Sequence, residues 1–216
     1  MNFIGAYTWE HIRFMLAGLG VTLQVAVIAI VFSFIIGCLL GTIRYIKIPI
    51  ASQIAATFVE IIRNLPLLLI IFFTFFALPE VGIKLSVMNA AIVALVVFEA
   101  AMISEIVRSG LNSIDNGQIE AARSSGLTYM QSLWYIVLPQ ALRRMVPPMV
   151  SQFISLLKDT SLAVVISLGE LMHNAQIING QDVNFVVPIL LLAAVMYFIV
   201  NFTLSLVAKR LEARQV

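Results

Sequence analysis

Long apolar runs separated by short polar interruptions dominate the chain, and the lengths of the runs decide its class. Residues 15–43 carry no formal charge. About 20 apolar residues cross a bilayer core, so this run predicts a tilted membrane-spanning helix. Four further runs occupy residues 54–78, 85–107, 145–166 and 185–207. The last is free of charge. The others are interrupted only by Glu60 and Arg63, by Glu99 and Glu105, and by Lys158 and Asp159. The pattern predicts an all-α integral membrane protein, a single domain over residues 1–216 with about five transmembrane helices. The first run is too long for the core of a cleavable leader, and only Arg13 precedes it among basic residues, so it is expected to stay as a span.

The stretch 109–144 between the third and fourth runs is the most polar of the chain. Ile119, Ala122, Gly126, Met130, Leu133 and Val137 recur in it at helical spacing. That spacing predicts a short amphipathic helix at the inner membrane face. It either offers a surface to a soluble partner or rests on the headgroups. Pro139, lacking an amide donor, is expected to stop it.

Composition narrows the function. Apolar residues make up 61% of the chain and charged residues 11%, against about a quarter charged in soluble domains. A net charge of +2 is too small to suggest a nucleic-acid partner. Cys38 is the single cysteine, so the chain cannot form a disulfide within itself. His11 and His173 have no cysteine or carboxylate at ligand spacing, which argues against a metal site. Without a glycine-rich phosphate loop or a nucleophile with its base, no catalytic residue and no cofactor is expected. Basic residues give the orientation. With the amino terminus outside, Arg44, Lys47, Arg108, Arg123, Arg143, Arg144, Lys209, Arg210 and Arg214 lie inside, and only Arg13 and Lys84 outside.

The polar stretch also carries a spaced motif. Glu120-Ala121-Ala122, three residues, Gly126, nine residues, Ile136, one residue and Leu138-Pro139 resembles the EAA loop of permease subunits of binding-protein-dependent ABC importers. Three further segments resemble motifs of the histidine, glutamine, glutamate and arginine type of polar amino-acid permease. They are Arg63-Asn64-Leu65-Pro66-Leu67-Leu68, Glu105-Ile106-Val107-Arg108-Ser109-Gly110 and Leu157-Lys158-Asp159-Thr160-Ser161-Leu162. The resemblance implies a type I ABC importer permease fold in the cell membrane, forming the pathway for a polar amino acid. It implies a separate ABC ATPase subunit, docked on a coupling helix with Glu120, Ala121, Ala122 and Gly126. It also implies a second permease copy, identical or not, and an extracytoplasmic amino-acid-binding protein. Small Ala121 and Ala122 and bare Gly126 would let the partner's backbone come close, and Glu120 offers an anion to grip. The alternative is a secondary amino-acid transporter driven by an ion gradient, which usually shows internal repeats; none is evident here.

The charges inside the runs bear on the substrate. Arg63 and Glu99 each lie nine residues from a run's inner end, about 14 Å deep at 1.5 Å per residue. Lys158 is fourteen residues from Arg144, about 21 Å deep, less whatever bend Pro147-Pro148 introduces. A charge at mid-membrane costs at least about 2.5 kcal/mol, so such residues face a wet cavity or a partner. A zwitterionic substrate needs a cation for its carboxylate, from Lys158 or Arg63, and an acceptor for its ammonium, from Asp159 or Glu99. The competing reading is internal pairing, with Arg63 held by Glu60 one turn earlier. Glu105 and Arg108, three apart, read as a structural pair. Residues 168–184 should lie outside, as a gate, a docking site or a plain connection.

Overall fold

The Thr8 hydroxyl accepts a hydrogen bond from the His11 amide at 3.3 Å and starts the longest helix, 38 residues from Trp9 to Ile46. In the computed structural model, which describes residues 1–213, ten α-helices follow in order. They are α1 (Phe3–Ala6), α2 (Trp9–Ile46), α3 (Ala51–Arg63), α4 (Leu67–Phe72) and α5 (Val87–Asn112). The second half comprises α6 (Asn116–Ser124), α7 (Tyr129–Ser132), α8 (Leu138–Asp159), α9 (Leu171–Asn179) and α10 (Val186–Ala213). Arg214, counted above among the inner basic residues, lies outside the described residues.

Four helical stretches are long and apolar enough to cross a membrane: Trp9–Ile46, Val87–Asn112, Tyr129–Ile166 and Val183–Val207. The second apolar run is broken instead of straight. Ala51–Arg63 and Leu67–Val81 meet at 104°, and the pair counts as a fifth span if taken together. The break has a local cause. Pro66 supplies no amide and disfavours helical backbone at Leu65 before it. Asn64 closes α3, its side-chain amide donating to the Glu60 carbonyl at 2.7 Å. The peptide groups freed there need protein or water around them, because lipid offers no hydrogen bonds.

Helices α2 and α5 form the most extensive contact in the molecule. Gly37 and Gly41, one turn apart on α2, make it possible. A Cβ on Gly37 would lie 2.6 Å from Ile103 Cβ, and one on Gly41 2.7 Å from the Ser104 carbonyl oxygen. Small residues at this spacing let membrane helices approach closely enough for dispersion to hold them. Val25, Ala26 and Ala29 of α2 continue the contact into a core with Ile71, Leu95 and Leu156.

One sequence expectation about prolines is corrected. Pro139 does not stop a helix; the chain is helical from Tyr129 to Ile166, and the wider π-helical turn Leu133–Val137 just before the proline accommodates its missing amide. The fourth long helix therefore begins earlier than residue 145. Pro147 and Pro148 lie within α8, which runs on to Asp159 as one helix.

Candidate functional site

Glu99 on α5 is completely buried. Gln152 on α8 donates its side-chain amide to Glu99 Oε2 at 2.9 Å. The other oxygen, Oε1, has no hydrogen-bond partner among the described residues. Asp159 stands seven residues after Gln152, two turns along the same face of α8. Lys158 is displaced from that face by roughly 100°. It is exposed in the last turn of α8, where a cation suits the helix dipole. It makes no ion pair among the described residues, all of whose ion pairs centre on Glu105.

Gln152 also borders a cavity of about 400 Å³ that extends past Arg63, Glu105 and Pro148 to Ser113 and Arg144. Gln152 thus links the buried Glu99 to a polar vestibule where the carboxyl end of α5 meets the first half of α8. Sequence reasoning did not single out Gln152. Its one signal was a large amide inside an apolar run, two turns before Asp159.

Arg63 pairs with Glu105, and it lines the same cavity as Gln152. Its guanidinium lies 3.7 Å from Glu105 Oε2, the same oxygen that Arg44 approaches at 3.0 Å. Arg44 belongs to the last turn of α2, so Arg63 stands level with that turn. The nine residues from Ile54 to Arg63 all lie on α3, and α3 meets the next helical segment at 104°, so the two cannot both run along the membrane normal and rise along α3 is not depth. The Glu60 partner is likewise replaced by Glu105. The expected Glu105–Arg108 pair is present, with Arg108 bonding both carboxylate oxygens. Arg44 donates further to Ser104 Oγ at 3.2 Å. One carboxylate therefore gathers cations from α2, α3 and α5.

The EAA segment folds differently from the single helix expected. Asp115 caps α6, accepting from the Gly117 amide at 2.6 Å. Gly126 ends it with φ 91°, a left-handed conformation that costs side-chain-bearing residues about 1–2 kcal/mol. The Leu127 amide bonds the Ala122 carbonyl at 3.2 Å and the Gly126 amide bonds that of Arg123 at 3.0 Å, the paired closure of a Schellman turn. Gly126 is thus required by the chain's own turn. Thr128 then caps α7 in a capping box with Gln131. Ala122 is buried, while Glu120, Ala121 and Gly126 face outward. Three of the four expected docking positions are thus exposed, and Ala122 is turned into the fold.

At the other end, α9 packs on α2 through Leu171, Ala175 and Ile178. The segment 168–184 is a built element instead of a plain connection.

The comparisons agree with this architecture. Residues 33–216 match the family described as binding-protein-dependent transport system inner membrane component. The probable glutamine ABC transporter permease protein GlnP of Bacillus subtilis is 69% identical over 217 residues, covering 100% of both chains. The glutamine transport system permease protein GlnP of Escherichia coli K12 is 36% identical, covering 99% of this chain and 98% of its own. Among solved structures, an amino acid ABC transporter crystallised with histidines superposes with a TM-score of 0.91 at 26% identity, covering 99% of each chain. The methionine transporter MetNI, inward facing, superposes with a TM-score of 0.77 at 23% identity over 97% of this chain and 99% of that one, which bears on fold alone.

Proposed function

Because the chain belongs to the binding-protein-dependent transport system inner membrane component family, we propose that it carries glutamine across the cell membrane. It is a translocation subunit of an amino-acid ABC importer, and it is a transporter component instead of an enzyme. The observation that carries the glutamine reading is full-length identity of 69% to a probable glutamine permease. The chemistry is compatible. A carboxamide side chain both donates and accepts, and the Glu99–Gln152 pair offers an unused carboxylate oxygen beside an amide.

In this reading Lys158 receives the substrate's carboxylate, while Asp159 and Glu99 receive its ammonium and amide donors. Arg63, with Arg144, lines the inner vestibule through which the substrate leaves. Hydrolysis of ATP occurs on a separate ABC subunit that docks on Glu120, Ala121, Ala122 and Gly126. A second permease, identical or paired, completes the pathway, and an extracytoplasmic binding protein delivers the amino acid. The amino terminus lies outside and the carboxyl end in the cytoplasm, as the basic residues favour.

The test is uptake by vesicles that hold the complex of this permease, its ATPase and its binding protein. Labelled glutamine, glutamate, arginine and histidine are offered with and without ATP. ATP-dependent uptake with glutamine preferred is expected. Preference for arginine would overturn the substrate, and uptake driven by an ion gradient without ATP would overturn the mechanism.

A further inference from the structure

Three guanidiniums share the one carboxylate of the vestibule, and a fourth has no acid. Arg108 bonds both oxygens of Glu105, and Arg44 approaches Oε2 at 3.0 Å. Arg63 reaches that oxygen only at 3.7 Å, beyond the about 2.7–2.9 Å of a charge-assisted hydrogen bond. Its fork therefore keeps donors to spare, and its side chain is 36% exposed. Arg144 is exposed and in no ion pair among the described residues. Arg63, Glu105 and Arg144 line one cavity, so the cavity carries a positive excess.

Gln152 lines the same cavity, eight residues after Arg144 and so about 12 Å further along α8. It spends its amide on Glu99, and its carbonyl oxygen accepts nothing among the described residues. Met102, Ile106 and Pro148 give the remaining wall apolar surface. The volume of about 400 Å³ is that of a small-molecule site. Arg144 also donates to the Ser113 carbonyl at the end of α5, two residues before Asp115 caps α6. The free cation thus stands at the root of the segment that carries Glu120.

We propose that this cavity is a second binding site for the transported amino acid, which reoccupies it after release and slows turnover. The inference rests on reading the vestibule as the exit path. The carboxylate lies between Arg63 and Arg144, and the ammonium or carboxamide donors face the Gln152 oxygen. Uncompensated cations call for an anion, and the apolar wall with an acceptor beyond it suits an amino acid better than inorganic phosphate. Lys158 does not line this cavity, so the site is separate from the one built on Lys158 and Asp159. A ligand favours the conformation it binds best. One clamped to Arg63 of α3 and Arg144 of α8 holds the root of the coupling segment to both helices and opposes its movement.

The experiment treats the assembled complex, in nanodiscs, with phenylglyoxal, which modifies accessible guanidiniums, and counts modified peptides by mass spectrometry. Arg143, exposed and outside the cavity, is the reference. Glutamine at about 10 mM should lower modification of Arg63 and Arg144 about threefold or more against Arg143, as low-millimolar binding gives. The Lys158→Met complex should show the same protection. 4-Aminobutanamide, which is glutamine without its carboxylate, should protect neither arginine, and phosphate should protect less than glutamine. In proteoliposomes with ATP inside, loading the lumen with glutamine should slow initial uptake about twofold against loading with 4-aminobutanamide. Arg144→Gln, normalised to its own rate, should lose that slowing. Equal protection by the amine or by phosphate would overturn the proposal, as would slowing that persists in Arg144→Gln. An Arg144 that phenylglyoxal never reaches would show another subunit covering it, with the same consequence. Absent protection overturns the second site even where ATP-driven glutamine uptake stands, so the two readings fail separately.

Discussion

Tyr197 on α10 donates its phenolic hydroxyl to Glu170 Oε2 at 2.9 Å, tying the outer helix α9 to the last span. Glu170 is completely buried and also caps α9, accepting from the amides of Met172 at 2.9 Å and His173 at 2.7 Å. The same helix start is fixed to α2. Thr22 Oγ1 accepts from the Leu171 amide at 3.2 Å, and the Asn174 side chain donates to the Phe14 carbonyl at 2.8 Å. Gly18 makes room, since a Cβ there would lie 2.7 Å from Asn174. Helix α9 is thereby fixed to both α2 and α10.

Burial pushes the Glu170 carboxyl above the usual carboxylate range, and its three hydrogen bonds with nearby His173 pull it back only in part. The folded state therefore binds the proton more tightly than the unfolded chain. Stability is full below the ordinary carboxylate range and falls as pH rises through the window above it. Thermal unfolding of the reconstituted complex, followed from about pH 4 to pH 8, should show that decline. Glu170→Gln should flatten it. Tyr197→Phe, which strands a buried lone pair, should lower stability by about 1–3 kcal/mol. A pH profile identical in wild type and Glu170→Gln would dismiss the role of this carboxyl.

Gly126 has two demands placed on it, and two substitutions separate them. Asparagine tolerates the left-handed backbone; valine does not. Nothing in the chain lies within 4 Å of a Cβ at Gly126. Gly126→Val should therefore lose transport and stimulated ATP hydrolysis together, while the permease still inserts. If the turn alone matters, Gly126→Asn should keep most of both activities. If a partner's backbone must approach, Gly126→Asn should fail as well. Full coupling in Gly126→Val would remove both requirements.

Run lengths made most of the fold legible, because crossing a bilayer demands apolar length and little else. The EAA spacing singled out Glu120 to Gly126, where the structure has the end of α6 and its closing glycine. What stayed hidden depended on direction. Residue counting gave Arg63 and Glu99 the same depth by treating residues 54–78 as one straight span, but α3 ends at Arg63, the chain then turns by 104°, and the guanidinium pairs with Glu105. The sequence did contain Pro66, yet a proline announces a kink without its angle. Gln152 was silent for another reason. A single amide on a mostly apolar helix has no periodic signature, and only its contact with Glu99 across two helices gives it meaning.

Glu105 supports a prediction of the opposite kind, a residue whose loss should damage the scaffold first. Its carboxylate is three-quarters sheltered, with 22% side-chain exposure, and Arg44 is at 9%. Glu105→Gln would leave the guanidiniums of Arg44, Arg63 and Arg108 facing one another without an anion. Breaking such a pair costs about 3–5 kcal/mol when fully buried and less when partly wet, so about 2 kcal/mol is expected here. Thermal stability of the purified complex reads it out. Glu105→Gln combined with Arg63→Met should recover part of the loss, because one uncompensated charge is removed.

Lys158 carries the sharpest test of the substrate reading. It is exposed at the end of α8, one residue before Asp159, and no described acid neutralises it. A cation in that position, near the end of a span and in no ion pair among the described residues, is costly unless a wet cavity or a ligand faces it. A substrate carboxylate would complete its shell through charge-assisted hydrogen bonds. Lys158→Met keeps most of the stem's bulk and removes the charge. The variant should assemble with its ATPase, keep basal hydrolysis and lose uptake by tenfold or more, about 1.4 kcal/mol or greater in binding terms. Lys158→Arg should retain a measurable part, since the charge persists in a different shape. The measurement is uptake by the reconstituted complex at saturating binding protein. Wild-type uptake by Lys158→Met would make the lysine structural and leave Arg63, already committed to Glu105, as the next cation to test.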